Sequence, residues 1–140
     1  MANFKYGNSK VQGNQNGKRS RVYDLEERLI QFAVRILGVV EALPSTKVGN
    51  HVGNQLVRSG TSSAPNYAEA QSAESRNDFI HKMKVSLKEL RESRVWLLII
   101  QKKPLIRPAR KLDPLLIETN ELISIFVASI ATAQRNKEKK

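Results

Sequence analysis

Cysteine is absent from the 140 residues, which removes disulfide bridges, thiol catalysis and every cysteine-ligated zinc or iron–sulfur site. The two histidines, His51 and His81, fall on separate predicted helices without metal-ligand spacing, so both read as surface or interface residues. Glycine and proline are few and scattered. They form neither a phosphate-cradling loop nor a nucleophile elbow. Aromatics are also sparse, with four Phe, three Tyr and one Trp. None is interleaved with a basic run, so Tyr67 and Trp96 read as packing residues rather than base-stacking platforms. Long apolar runs are missing as well. The best stretch, Leu115–Ala133, is interrupted by Glu118, Asn120 and Glu121, too polar for a membrane span. Residues 1–21 contain no apolar core of signal-peptide length. These absences lead us to expect a cytoplasmic, non-enzymatic protein without catalytic residues, metal, other cofactor or membrane partner.

Acid is missing where base is plentiful. The formal net charge is +11. Residues 1–21 hold Lys5, Lys10, Lys18, Arg19 and Arg21 and no acid, and residues 102–111 hold Lys102, Lys103, Arg107, Arg110 and Lys111 and no acid. Residues 22–101, by contrast, balance ten bases against nine acids. Such segregated charge makes a polyanion a plausible partner.

The periodicity is helical throughout. Residues 1–22, rich in Asn, Gln, Gly, Ser and Lys at their start, read as a disordered basic tail. A four-helix bundle then occupies 23–136, with helices predicted near 24–43, 46–73, 76–102 and 114–135 and a basic tail at 137–140. Asp24 with Glu27 resembles a capping box opening the first helix, and Leu25, Leu29, Phe32, Ile36, Val40 and Leu43 supply its buried face. In the second, the small residues of 59–64 followed by Pro65 admit either a loop or a kink. The return of helical character at Asn66–Ala70 favours one long kinked helix whose small side chains let a neighbour approach closely. Ser75 and Asp78 mark the start of the third, with Phe79, Met83, Leu87, Leu90, Arg94 and Leu97 on one face. Asp113-Pro114 opens the fourth, whose apolar stripe is wide enough to imply a second buried surface and hence oligomerisation. Short connectors impose an antiparallel up-down-up-down order. That order puts both chain termini at one end and the 102–111 connector at the other.

Two sets of polar residues deserve a functional reading. Glu69 has the spacing of a base beside Asn66, but a structural pair with Arg94, predicted to lie on an apolar helix face, is the better assignment, because an unpaired charge there is costly. Lys84, Lys88, Arg91 and Lys102 project from one side of the third helix, with Glu89 and Glu92 on a different arc. Together with Lys18, Arg19, Arg21, Lys103, Arg107, Arg110 and Lys111 they form the candidate nucleic-acid-binding set.

The segments Asn66-Tyr67-Ala68-Glu69-Ala70, Ser75–Lys84 and Ser86–Leu97, with Glu118–Leu122 and Ala128-Ser129-Ile130, resemble the bacterial four-helix-bundle proteins encoded in 23S rRNA intervening sequences. The similarity spans about residues 23–136. Val95 stands where that family commonly has tyrosine. The resemblance implies a ring-like homopentamer, and a relationship to the accessory variability determinant of diversity-generating retroelements, a basic barrel that binds nucleic acid and a reverse transcriptase. It brings no catalytic residues. The expected function is an oligomeric nucleic-acid-binding protein, RNA ahead of DNA, held by phosphate contacts. The alternative is a structural scaffold whose main partner is another protein such as a reverse transcriptase.

Overall fold

The computed structural model describes residues 17–138, with side chains from Leu25 onward. Five helices appear in order: α1 (Gly17–Ala42), α2 (Lys47–Gly60), α3 (Ser63–Gln71), α4 (Arg76–Lys102) and, after a 3-10 turn at Ala109–Leu112, α5 (Asp113–Glu138). There is no strand among the described residues. α2 and α3 together make one wall, so the architecture is an antiparallel four-helix bundle. Each wall packs on its sequence neighbours, and α1 closes the square against α5. Leu29, Phe32, Ile36, Leu56, Met83, Leu90, Leu97, Leu122 and Phe126 are withdrawn from solvent at its centre. Each contributes roughly 1.5–3 kcal/mol by burial.

Local chemistry sets the helix ends. Thr46 accepts a hydrogen bond from the Gly49 amide at 3.0 Å, and Ser75 accepts one from the Asp78 amide at 3.0 Å, each relieving an orphan donor of a first turn. Between α2 and α3 the chain breaks at Thr61-Ser62. The expected single helix over 46–73 is therefore two helices. The break puts Pro65 in the first turn of α3, where its missing N–H and its ring are tolerated. The Thr61 hydroxyl donates to Val57 O at 2.6 Å and the Asn66 amide to Ser62 O at 2.9 Å, so side chains satisfy carbonyls around the break.

The small residues here form a seam. Ser59, Ser63, Ser86 and Ser93 are fully buried where α2 and α3 meet α4. The Ser59 and Ser93 hydroxyls hydrogen-bond at 2.9 Å, and Ser86 Oγ donates to Ser63 O at 3.0 Å. On the α1 side, a Cβ added at Gly60 would lie 2.5 Å from Ile36 Cγ2, so only glycine allows that approach.

Three other sequence expectations need correction. α1 begins at Gly17, so helix already covers part of the segment expected to be a tail; nothing between Gly17 and Asp24 breaks a helix. Residues 1–16 lie outside the described residues. α5 continues to Glu138, into the expected C-terminal tail, whose last two residues lie outside the described ones. Arg94 is exposed, because Leu90, Ser93, Leu97 and Ile100 take the inward positions of α4. The helical stretch Ala109–Glu138 is long and apolar enough to cross a membrane by length and composition alone. Its Leu115, Leu122, Phe126, Ile130 and Ala133 are buried within the protein itself.

Candidate nucleic-acid interface

The connector between α4 and α5 alternates between anchors and cations. Leu112 is buried, and Leu105 and Ile106 are half-buried against the core. Backbone bonds fix the turn: Lys103 N donates to Ile99 O at 3.1 Å, Leu105 N to Ile100 O at 2.8 Å, and Lys111 N to Pro108 O at 3.0 Å. Gln101 closes the base of the loop, donating to Ala109 O at 3.1 Å and to Asp113 Oδ1 at 2.8 Å. Both X-Pro bonds, before Pro104 and Pro108, are cis. With the apolar side chains turned in, Lys102, Lys103, Arg107, Arg110 and Lys111 are all exposed. None of the five forms an ion pair with a described residue. Lys102 and Lys103 also oppose the negative end of the α4 dipole.

Lys84, Lys88 and Arg91 are exposed on α4 at spacings of four and three residues, hence on one face. They too lack carboxylate partners, because the nearby acids are engaged elsewhere. Arg58 of α2 reaches Glu89 at 3.3 Å and also pairs with Glu92. That guanidinium holds the Glu92 carboxyl below its ordinary range; the Trp96 indole, donating at 3.3 Å, and the charge of Lys88 add smaller pulls. Arg58 is the participant that sequence reading missed. Its signal was the spacing of Glu89 and Glu92, three residues apart on the flank that faces α2.

The remaining candidates fall elsewhere. Lys18, Arg19 and Arg21 belong to the first turns of α1, at the opposite end of the bundle from the connector, and their side chains lie outside the described residues. Glu69 and Arg94 do not pair. Glu69 accepts from Lys82 Nζ at 3.2 Å, and Arg94 Nε donates to Asn120 Oδ1 at 2.9 Å. Both are exposed, so neither needs burial compensation. Another ion cluster went unread: Arg28 of α1 clamps Glu118 at 2.7 Å and Glu121 at 2.9 Å on α5. These contacts raise the Arg28 pKa further, the Glu118 bond foremost.

Most of the rings among the described residues are withheld from the surface. Phe32, Tyr67, Phe79 and Phe126 are buried, and Trp96 is half-buried with His51 edge-on at 5.9 Å. Burial, with a smaller push from the charge of Glu26, drives the Tyr67 hydroxyl well above the usual phenol range. Among the described residues no three His, Cys, Asp or Glu come together as a metal site.

Comparison with other proteins gives this scaffold its relatives. A crystal structure of a protein of unknown function in the S23 ribosomal protein family, from Bacteroides thetaiotaomicron, superimposes with a TM-score of 0.70 at 29% identity. The match covers 76% of this chain and 97% of that one. No functionally curated protein matches. The sequence model of the 23S rRNA-intervening sequence proteins matches residues 22–128. By that match, which reaches part or all of every helix and takes in the basic connector, the chain belongs to the 23S rRNA-intervening sequence protein family.

Proposed function

We propose that this protein is a non-enzymatic nucleic-acid-binding protein that holds RNA through its phosphates and works as a homo-oligomer. One observation carries the reading: five exposed cations, none in an ion pair with a described residue, on a connector anchored by buried leucine and half-buried apolar side chains. Cations that face solvent without carboxylate partners keep their charge available to a polyanion. The family name, which ties these proteins to insertions in 23S rRNA, favours RNA over DNA. Apolar side chains support assembly. Ile30, Val34 and Leu37 stand exposed on α1, and Ile117 and Val127 on α5. Further copies of the chain would cover them, and the family resemblance favours a pentameric ring, which would repeat the basic connector around its rim.

The test is to titrate the protein into labelled RNA at low ionic strength while measuring the mass of the assembly with and without RNA. Binding to a species several times the chain mass is the expected result. Undetectable binding at low salt refutes the RNA reading, and a monomer at every concentration refutes the oligomer. Partners that survive nuclease in a pull-down, without RNA affinity, would instead support a protein-docking scaffold.

A further inference from the structure

The placement of cations and rings says which form of nucleic acid this surface fits. Single strands are held by grooves that combine continuous positive charge with exposed aromatic faces, on which successive bases stack. Neither condition is met among the described residues. Four rings are buried. Trp96, the sole tryptophan, is half-buried, its indole N–H given to Glu92 and its ring met edge-on by His51. His51 is exposed, but it is one ring, on α2.

The cations are not continuous either. Counting 3.6 residues per turn, Lys84, Lys88, Arg91, Val95 and Lys102 fall within about 60° of one another on the outward side of α4. Charge fills only the two ends of that line. Between Arg91 and Lys102 the helix rises about 16 Å, and the outward positions are Val95, 51% exposed, and Ile99, 41% exposed. Arg94, the nearest cation, points about 100° away from Val95 and is held by Asn120 on α5. The outward line from α4 to the connector thus has two cationic clusters, one on α4 and one on the connector, separated by an uncharged interval without an exposed aromatic ring.

A single strand crossing that interval leaves its phosphates and bases without partners. A duplex does not, because two phosphate strands flank an open groove. The B-form major groove is about 12 Å wide, and double-stranded RNA is gripped by shape through phosphates on either side of a groove. We infer that the ligand is a double-stranded nucleic acid, straddled by Lys84, Lys88 and Arg91 on one strand and by the connector cations on the other, read by shape and without base stacking. The inference rests on the proposed nucleic-acid function and adds the form of the ligand.

The experiment compares affinities of the full chain for an RNA duplex of roughly 16 base pairs, the DNA duplex of the same sequence and either single strand of the RNA, at one salt concentration, while recording Trp96 emission. At least one duplex should bind about tenfold more tightly than the single strand, with tryptophan emission unchanged at saturation; which duplex leads identifies the natural sugar. The variant Lys84→Gln/Lys88→Gln/Arg91→Gln, folded by circular dichroism, should lose that preference. A single strand that binds as well as both duplexes, or that quenches Trp96, overturns the inference and leaves the proposed function standing. Failure of all the probes to bind overturns both.

Discussion

Gly60 and Gly38 offer a paired test of the packing, because the same substitution should act in opposite directions. Gly60 closes α2 against α1: an added Cβ would lie 2.5 Å from Ile36 Cγ2, 2.9 Å from Cγ1 and 3.0 Å from Cβ. Carbon contacts settle near 3.5–4.0 Å, so the helices must separate by about 1 Å. Ile36 cannot absorb this by turning, since it is β-branched, helical and fully buried. Overpacking of this kind costs roughly 1–3 kcal/mol, against a helix-propensity gain of at most about 1 kcal/mol, reduced because Gly60 is the last residue of α2. The net for Gly60→Ala is a loss of about 1–2 kcal/mol, or roughly 4–8 °C in Tm. A Cβ at Gly38 meets nothing within 4 Å. Gly38→Ala should stabilise by about 0.5–1 kcal/mol. Thermal melts followed by far-UV circular dichroism decide the matter. A Gly60→Ala variant as stable as the parent refutes the close approach. A Gly38→Ala variant destabilised in the monomer refutes the open position at Gly38, whereas a loss that appears only in the assembled protein places Gly38 within the interface proposed for Ile30, Val34 and Leu37.

Other consequences are equally direct. Ser75→Ala removes the cap on the Asp78 amide and should cost about 1 kcal/mol in urea denaturation. The Glu92 carboxyl, depressed foremost by Arg58, stabilises the fold above its unfolded pKa, and that contribution disappears as pH falls through the folded value. Glu92→Gln should therefore lower the urea midpoint near pH 7, with the deficit shrinking as the pH falls through the carboxylate range; a deficit that does not change with pH contradicts the pairing. Arg28 and Glu118 are one-third and one-fifth exposed, so a double-mutant cycle should give a coupling of under about 1 kcal/mol that shrinks with added salt.

The four walls of the bundle and their order were legible because apolar residues recur at spacings of three and four, and because Ser75 and Asp113-Pro114 mark two of the starts. Polar burial was not. Ser86 and Ser93 take core positions on α4 through hydrogen bonds to α3 and α2, and hydrophobic patterning has no means to see them. Arg94 was placed inward for the same reason: the inward position belongs to the small Ser93 beside it. Pro65 signalled an interruption, but the chain broke three to four residues earlier, at Thr61-Ser62, so that the ring falls in a first turn. The connector cations were readable from composition. That they are exposed depends on Leu105, Ile106 and Leu112 turning inward, a tertiary fact. The couplings of Arg58 with Glu89 and Glu92, and of Arg28 with Glu118 and Glu121, join distant segments that carry no pairing signal in a single sequence.

The salt dependence of RNA affinity, measured for the parent and for Lys103→Gln/Arg107→Gln/Arg110→Gln, tests the central claim most directly. Engagement of the five connector cations alone contributes about −4 to −5 to the log–log slope on a duplex, or roughly 500-fold weaker binding between 50 and 200 mM salt. Removing three of them should flatten the slope by about 2 to 3 while leaving the thermal melt unchanged, since all three side chains are exposed. Parent and variant with the same slope, or a parent whose affinity ignores salt, would contradict phosphate recognition by this connector.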